Sequence, residues 1–316
     1  MGNILYLVVP CYNEEEIIED SINVLTDKLK KLIRKRLISK NSKIVIVDDG
    51  CKDNTLDIVT NIKKKNKYLV IIKLSRNYGH QIAMYAGLME SKKYADMVIS
   101  IDADLQDDID VIDGMIKEYK NGNEIVYGVR NNRDTDTWFK RNTALLFYKF
   151  MELLGVNIVY NHADYRLMSK RVLEELSRYH ESNLFLRGII PEMGFNSSRV
   201  YYKRLERKAG ESKYNLRKML KLAIDGITSF SVKPIRIIIG IGSFLSLVSF
   251  IYLLYVVIGT INGYIDNVKG WASIVALVSF FGSFQILCIG LIGEYISRIY
   301  IETKNRPRYF IDYIDN

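Results

Sequence analysis

Val98-Ile99-Ser100-Ile101-Asp102-Ala103-Asp104-Leu105-Gln106 is an apolar run that ends on two carboxylates one residue apart. A short β-branched stretch closed by an acidic turn predicts a buried strand over Met97–Ile101. The same pattern recurs on either side. Apolar runs at Ile4–Val9, Lys43–Val47, Leu69–Leu74 and Glu124–Tyr127 alternate with helical patterns at Glu14–Arg36, Asn54–Lys65, His80–Ser91 and Ile109–Tyr119. Strands alternating with helices imply crossover units, and hence an α/β fold with a mostly parallel sheet covered on both faces. Ligands of such sheets sit beyond the carboxyl ends of the strands. The segments to inspect are therefore Pro10–Glu14, Asp48–Asp53, Ser75–Gly79, Asp102–Gln106 and Gly128–Arg130.

Forty-five basic against thirty-six acidic residues give a net charge of +9, which suits an anionic membrane face or anionic substrates. No zinc-finger spacing or basic motif interleaved with aromatics accompanies that charge, so no nucleic-acid partner is expected. Cys11, Cys51 and Cys288 lack paired or metal-type spacing and read as reduced core or turn residues. His80, His162 and His180 are too scattered for a histidine-based metal site. The chain starts directly on a strand, with no signal-peptide pattern.

Beyond residue 130, Thr137–Leu154 is helical in pattern, Asn157–Arg166 reads as a polar loop, Ser169–Leu176 as a helix, and the remainder to Val200 as irregular. Tyr214–Ser231 is amphipathic, with Lys218 and Lys221 among apolar residues; it fits a bilayer interface and equally a core-facing helix. Two uncharged runs follow, Ile237–Ile261 and Trp271–Gly293, each long enough for the ~20 residues a bilayer core requires. Basic residues flank the pair (Lys233 and Arg236 before, Arg298, Lys304, Arg306 and Arg308 after) while the connecting loop has only Lys269. That bias predicts a hairpin in the plasma (inner) membrane with the catalytic domain and both ends cytoplasmic. The expected organisation is a catalytic domain over 1–213, an interfacial amphipathic segment over 214–234, a two-helix transmembrane hairpin over 235–297 and a cytoplasmic tail over 298–316.

Carboxylates at a strand end can hold Mg²⁺ or Mn²⁺, hard cations that take oxygen ligands and neutralise a departing pyrophosphate. Glu14 and Asp48-Asp49 add acidic groups at neighbouring strand ends. Other uses of these residues are open: Asp49-Gly50 with Asp53 and Asn54 also makes a turn and helix cap, and Asn13-Glu14 also starts a helix.

Val9-Pro10-Cys11-Tyr12-Asn13-Glu14-Glu15, Val47-Asp48-Asp49-Gly50-Cys51-Lys52-Asp53, Leu74-Ser75-Arg76-Asn77-Tyr78-Gly79-His80-Gln81 and Asp102-Ala103-Asp104-Leu105-Gln106 together resemble family 2 glycosyltransferases of GT-A fold. With Ala209-Gly210-Glu211-Ser212-Lys213-Tyr214, Asp225–Phe230 and Gly290–Tyr295, the chain is similar to polyprenyl-phosphate hexose synthases, of the bactoprenol glucosyltransferase and dolichol-phosphate mannose synthase type. The resemblance implies a Rossmann-like GT-A catalytic domain and a metal-dependent, inverting transfer of a hexose from a nucleotide-sugar to polyprenyl (undecaprenyl) phosphate on the cytoplasmic membrane face. UDP-glucose is the leading donor, with UDP-N-acetylglucosamine, UDP-galactose and GDP-mannose as alternatives. It implies that Pro10, Tyr12, Glu14, Asp48 and Asp49 line the nucleotide pocket. Asp102 would face ribose or metal, Asp104 and Gln106 would hold the metal, and Arg130 would meet a phosphate.

Asp164 is the further catalytic candidate, in a segment where the family usually has Gly before Asp and this chain has Ala163. A phosphate monoester has its second pKa at about 6, so the acceptor is largely anionic near neutrality and Asp164 can orient the sugar as well as act as a base. It also reads as a helix cap or a partner for Arg166. Arg204, Arg207 and Lys213, in the segment before the interfacial helix at headgroup depth, are the candidates for the lipid phosphate, with Arg141 on the earlier helix as a lesser one. A separate flippase and a second copy of the chain are the further partners considered. The alternatives are a transferase acting on a glycan or protein, or a catalytically degenerate membrane scaffold. A processive synthase would carry a Gln-x-x-Arg-Trp segment, and neither Trp138 nor Trp271 follows an Arg.

Overall fold

The computed structural model describes residues 2–130, 162–181, 184–203, 270–316 and parts of 238–262. At its centre lies β1 (Leu5–Cys11), flanked in parallel by β2 (Lys43–Asp48) and β4 (Met97–Ser100); β3 (Leu69–Leu74) extends the parallel set beyond β2. Alternate residues of β1 face opposite sides, as the pleat requires. Leu5, Leu7 and Val9 enter one buried layer with α1 (Ile18–Arg34) and α4 (Val111–Lys120), whereas Val8 enters the other with α3 (His80–Ser91). The helix α2 (Thr55–Lys63) packs beside α1.

Local sequence accounts for these elements. Ile18, Ile22, Leu25, Leu29 and Leu32 recur at helical spacing and form the buried stripe of α1, whose first turn carries Glu19 and Asp20 and whose last carries Lys31 and Arg34, in keeping with the helix dipole. Gly87 lets α3 lie against the sheet, since a Cβ there would stand 2.5 Å from Val8 Cγ1 and 2.7 Å from Val47 Cγ2.

The sheet is α/β and mostly parallel, as expected, but it is wider than the sequence pattern predicts. Its order is β7-β5-β6-β4-β1-β2-β3-β8. Here β5 is Ile125–Arg130, β6 is His162–Ser169, β7 is Ser197–Tyr202 and β8 is Ile311–Asp315. Residues 162–166, expected in a polar loop, instead begin an antiparallel strand inserted between β4 and β5. The alternation is present: Tyr165 and Leu167 go to one core layer and Met168 to the other. Asp164 and Arg166 disguise it, because both are buried and they neutralise each other. The helix α5 (Lys170–Leu176) follows, with Ser169 Oγ accepting from the Val172 N–H as its cap. The segment expected to be irregular contains the short helix α6 (Leu186–Glu192) and the edge strand β7.

The helix α7 runs from Trp271 to Thr303. At 33 residues it is about 50 Å long. Its stretch Phe280–Thr303 has a mean hydropathy of 1.4 and no buried residue, making it the one helix among the described residues apolar and long enough to cross a membrane. Helical backbone is described at 238–245 of the first expected span. The expected interfacial segment 214–231 lies outside the described residues. After α7 the chain returns to the sheet: β8 pairs antiparallel with β3, with Lys73 bonded to Asp312 at 2.8 Å and Lys63 to Asp315 at 3.2 Å.

Candidate active site

The carboxyl ends of β1 to β5 open on one edge of the sheet. Because β6 runs the other way, its first residues lie at that same edge, and the pairing of Ser100 with Arg166 brings Asp164 beside the loop that follows β4. Ser100 Oγ donates to the Asp164 carbonyl, tying the two together.

At the β1 and β2 ends, Pro10 is paired with Val47 and Cys11 with Asp48. Asp48 is 1% exposed; its Oδ1 accepts from the Cys51 N–H at 2.9 Å, while its Oδ2 is buried with no hydrogen-bond partner among the described residues. Asp49 uses both oxygens to hold the segment after β3, accepting from the Tyr78 N–H at 2.7 Å and the Gly79 N–H at 2.9 Å. Burial pushes its pKa up, and those two N–H groups oppose the rise only in part. Gly50 has φ of +69°, and a Cβ on it would meet the Arg76 carbonyl carbon at 2.6 Å, so a side chain is excluded there twice over. Tyr12 and Glu14 sit half-buried on the loop between β1 and α1, where the Glu14 N–H donates to Thr55 Oγ1 at 2.9 Å.

The loop after β4 carries a concentration of acid. Asp102 Oδ1 is buried and makes no hydrogen bond among the described residues; His80 Nε2 stands 3.5 Å away. Burial, with Asp164, Asp107 and Asp104 nearby, pushes the Asp102 carboxyl up to about 6 against the opposing pull of His80. Asp104 Oδ1 accepts from the Gln106 N–H at 3.3 Å across Leu105, which adopts φ of +45°. A leucine in the left-handed region is uncommon and belongs with the backbone strain that sites concentrate. Gln106 is 6% exposed.

Asp164 sits in a ring of cations. Arg187, from α6, donates through Nε to Oδ1 at 3.1 Å and through Nη2 to Oδ2 at 2.9 Å; Arg166 bonds Oδ1 and Gln81 bonds Oδ2 at 3.2 Å. His80 Nε2 lies 3.7 Å from Oδ2. Burial raises the Asp164 pKa, but Arg187, His80 and Arg166 outweigh it and hold the carboxyl well below the usual range. Burial lowers His80, and the hydrogen bond its imidazole donates to Asp164, with the charges of Asp102 and Asp164, overcomes that and raises it.

Arg130 ends β5 and is held from behind. Its Nε and Nη2 donate to Asp107 Oδ1 at 3.3 and 3.0 Å, and the Tyr202 hydroxyl donates to the same oxygen at 2.6 Å.

The sheet edge thus gathers Pro10, Asp48, Asp49, Asp102, Asp104, Gln106, Arg130 and Asp164. Arg141, Arg204, Arg207 and Lys213 lie outside the described residues. Arg166 is the Asp164 partner that the sequence offers as one reading, whereas His80, Gln81, Asp107, Arg187 and Tyr202 have no role in the sequence reading. His80 and Gln81 lie within a quoted motif, but Arg187 and Tyr202 give no local signal. The oxygen atoms of Asp102, Asp104 and Gln106 fit a hard divalent cation, and the orphaned, buried Asp102 Oδ1 is the observation that supports one.

Residues 6–177 match the model of the family described as Glycosyl transferase family 2, and residues 233–299 match one described as GtrB C-terminal hairpin. The glycosyltransferase YkoT of Bacillus subtilis (strain 168) is 50% identical over 314 residues, 98% of this chain and 91% of that one. The bactoprenol glucosyl transferase of Shigella phage SfX is 40% identical over 306 residues, 96% of this chain and 97% of its own. A solved glucosyl-3-phosphoglycerate synthase from Mycobacterium tuberculosis superposes with a TM-score of 0.49 at 15% identity, over 72% of this chain and 79% of that one.

Proposed function

Because this chain belongs to glycosyl transferase family 2, we propose that it moves a hexose from a nucleotide-sugar to the phosphate of a polyprenyl lipid, with UDP-glucose and undecaprenyl phosphate as the substrates. The observation that carries the reading is the acidic cluster at the carboxyl edge, centred on Asp102 Oδ1, which has no hydrogen-bond partner among the described residues. The lipid acceptor is supported by the likeness to the phage bactoprenol glucosyl transferase, which continues through the C-terminal hairpin. The apolar, unburied face of α7 is what a lipid-bound helix needs. In this reading 235–297 forms a two-helix hairpin, the catalytic domain and both ends of the chain lie on the cytoplasmic side, and a separate flippase carries the glycolipid across.

Each residue then has a physical task. Pro10, Tyr12 and Glu14 border the base and ribose, and the free Asp48 Oδ2 accepts from a base N–H. Asp49 acts through the 78–79 backbone that it holds. Asp102, Asp104 and Gln106 hold Mg²⁺ or Mn²⁺, which when bound neutralises the pyrophosphate of the donor. Arg130, pre-set by Asp107 and Tyr202, faces a phosphate and needs little reorganisation to do so. The lipid phosphate attacks the anomeric carbon as the bond to the nucleoside diphosphate breaks, inverting that carbon. Asp164, ionised and fully engaged with Arg187, Arg166 and Gln81, is a weak base; it orients the sugar and Arg187. Arg141, Arg204, Arg207 and Lys213 are the residues assigned to the lipid phosphate.

The test is transfer of label from a panel of nucleotide-sugars to undecaprenyl phosphate by the full chain in detergent, with Mg²⁺, Mn²⁺ or chelator. An organic-extractable product that requires metal and disappears in Asp104→Ala supports the reading. Transfer only to a glycan or protein acceptor would replace it, and no turnover with any acceptor by folded protein would point to a scaffold.

A further inference from the structure

Gln81 stands in the first turn of α3, where the Gly79 carbonyl accepts from the Ile82 and Ala83 N–H groups. Ala83, Met84 and Tyr85, which follow it, are buried against the sheet, so a firmly packed helix delivers Gln81 to the carboxyl edge. Its Nε2 donates to Asp164 Oδ2 at 3.2 Å, across 83 residues of sequence. The other end of the same amide is unmatched. Gln81 Oε1 is buried and has no hydrogen-bond partner among the described residues.

The surrounding chemistry fixes which way this amide points. Asp164 also accepts from Arg166 and from Nε and Nη2 of Arg187, groups that only donate. Turning the amide over would set Oε1 against Oδ2, oxygen against oxygen, and forfeit the bond. Nε2 is thereby committed to Asp164, and Oε1 faces away from it as a pure acceptor. A buried acceptor is costly to leave without a donor. The other orphaned atoms of this edge, Asp48 Oδ2 and Asp102 Oδ1, are acceptors too, so whatever fills the site must bring donors or positive charge.

Place narrows the choice. His80 Nε2 stands 3.7 Å from Asp164 Oδ2, the oxygen that Gln81 contacts, and 3.5 Å from Asp102 Oδ1. Gln81 is thus a near neighbour of the carboxylate given to the metal. In a nucleotide-sugar the hexose is bonded to the phosphate that the metal neutralises, so the sugar comes to lie beside the metal ligands. A sugar hydroxyl is the donor such a substrate offers there.

We propose that Gln81 reads the donor sugar: its Oε1 accepts a hydrogen bond from one hydroxyl of the hexose, with Arg187 and Asp164 holding the amide in the orientation that makes it an acceptor. The assignment rests on the nucleotide-sugar reading above and adds to it a residue that selects among sugars. A donor lacking that hydroxyl would leave Oε1 unmatched, and a site built to bond a hydroxyl discriminates in this way where an apolar pocket does not.

The test is calorimetric binding to the full chain in detergent, with Mn²⁺ and no lipid. The ligands are whichever of UDP-glucose, UDP-galactose, UDP-N-acetylglucosamine and GDP-mannose binds best, its nucleotide alone, and forms of it lacking each sugar hydroxyl in turn. At least one deoxygenated donor should bind wild type about 10-fold or more weakly than its parent. Gln81→Met, similar in length but without the amide, should erase the difference for one hydroxyl and no other, and should leave the nucleotide alone bound as before. Gln81→Ala repeats the cycle with the side chain removed instead of replaced. A bond to Asp164 that served structure only would weaken every donor alike and add to each deletion. Gln81 is removed from the sugar site if no deletion costs wild type binding, a result that needs no variant to fold. It is removed equally if each deletion costs the variants what it costs wild type, as it would were Oε1 satisfied by a water. A folded wild type that binds none of the nucleotide-sugars overturns the donor reading itself, and the role of Gln81 with it.

Discussion

The guanidinium of Arg187 closes on both carboxylate oxygens of Asp164, one from Nε and one from Nη2. Asp164 is 4% exposed and Arg166, its other partner, 1%. Removing the carboxylate would leave a buried arginine uncompensated, so Asp164→Asn is expected to destabilise the domain by about 3–5 kcal/mol as well as to lower turnover. Arg187→Gln leaves Asp164 its contact with Arg166 and should cost less stability. Thermal unfolding in detergent, read beside transfer rates, checks both. Because the folded pKa of Asp164 is depressed, its stabilisation is present above the ordinary carboxylate range and is lost only as pH falls well below it.

Asp102 behaves in the opposite sense. Its carboxyl is pushed up to about 6, by burial first, so the metal-free protein carries an unfavourable charge there above that pH and is relieved of it on acidification. Mn²⁺ must displace a proton below pH 6, and its affinity should fall by about tenfold per unit beneath that point. Mn²⁺ titration followed by electron paramagnetic resonance measures the slope. Asp102→Asn should flatten it and raise the melting temperature of the metal-free protein.

Arg130 depends on Asp107 and Tyr202. Tyr202→Phe removes a hydrogen bond to Asp107 and should cost about 1 kcal/mol. Asp107→Asn leaves Arg130 without its anion, and donor binding should weaken by about tenfold or more as the guanidinium swings away. Calorimetric titration with UDP separates the two variants. Equal affinity in both would remove Arg130 from the donor site.

Gly50 and Gly79 both have positive φ, yet only Gly50 is crowded. Gly79, at φ 94° and ψ 154°, occupies a backbone region essentially reserved for glycine, so Gly79→Ala should cost about 1–3 kcal/mol from the backbone alone. Gly50→Ala adds a contact of 2.6 Å to the Arg76 backbone and should be markedly worse. Melting curves of the two variants give the difference directly.

The parallel half of the sheet is plain in the sequence because each strand is an apolar run bounded by a loop with its own chemistry, and α3 spans the residues its pattern predicts. The antiparallel half is hidden by its buried charges. Asp164 and Arg166 occupy core positions of β6 that would ordinarily be apolar, and the salt bridge between them, with Arg187 and Gln81 on Asp164 and the Leu186 carbonyl on Arg166, makes those positions tolerable. Asp102 and Asp104 are visible as a local motif. Arg187 and Tyr202 reach the site across 23 and 95 residues, from Asp164 and Asp107 in turn, and no local pattern encodes such pairings.

The return of β8 to the sheet sets an order of assembly. Lys73 and Asp312 are 239 residues apart, with α7 between them. While the chain is being synthesised, β3 emerges early and presents an open row of backbone donors and acceptors, a template for pairing with the wrong strand. Its own partner leaves the ribosome only after the apolar helix α7 has been made. The segment after β3 is joined to that late strand through the Ser75 N–H, which donates to the Phe310 carbonyl, and its Tyr78 and Gly79 N–H groups are held by Asp49. Completion of that side of the sheet therefore waits until α7 has been made, and a chain interrupted before β8 leaves β3 unsealed.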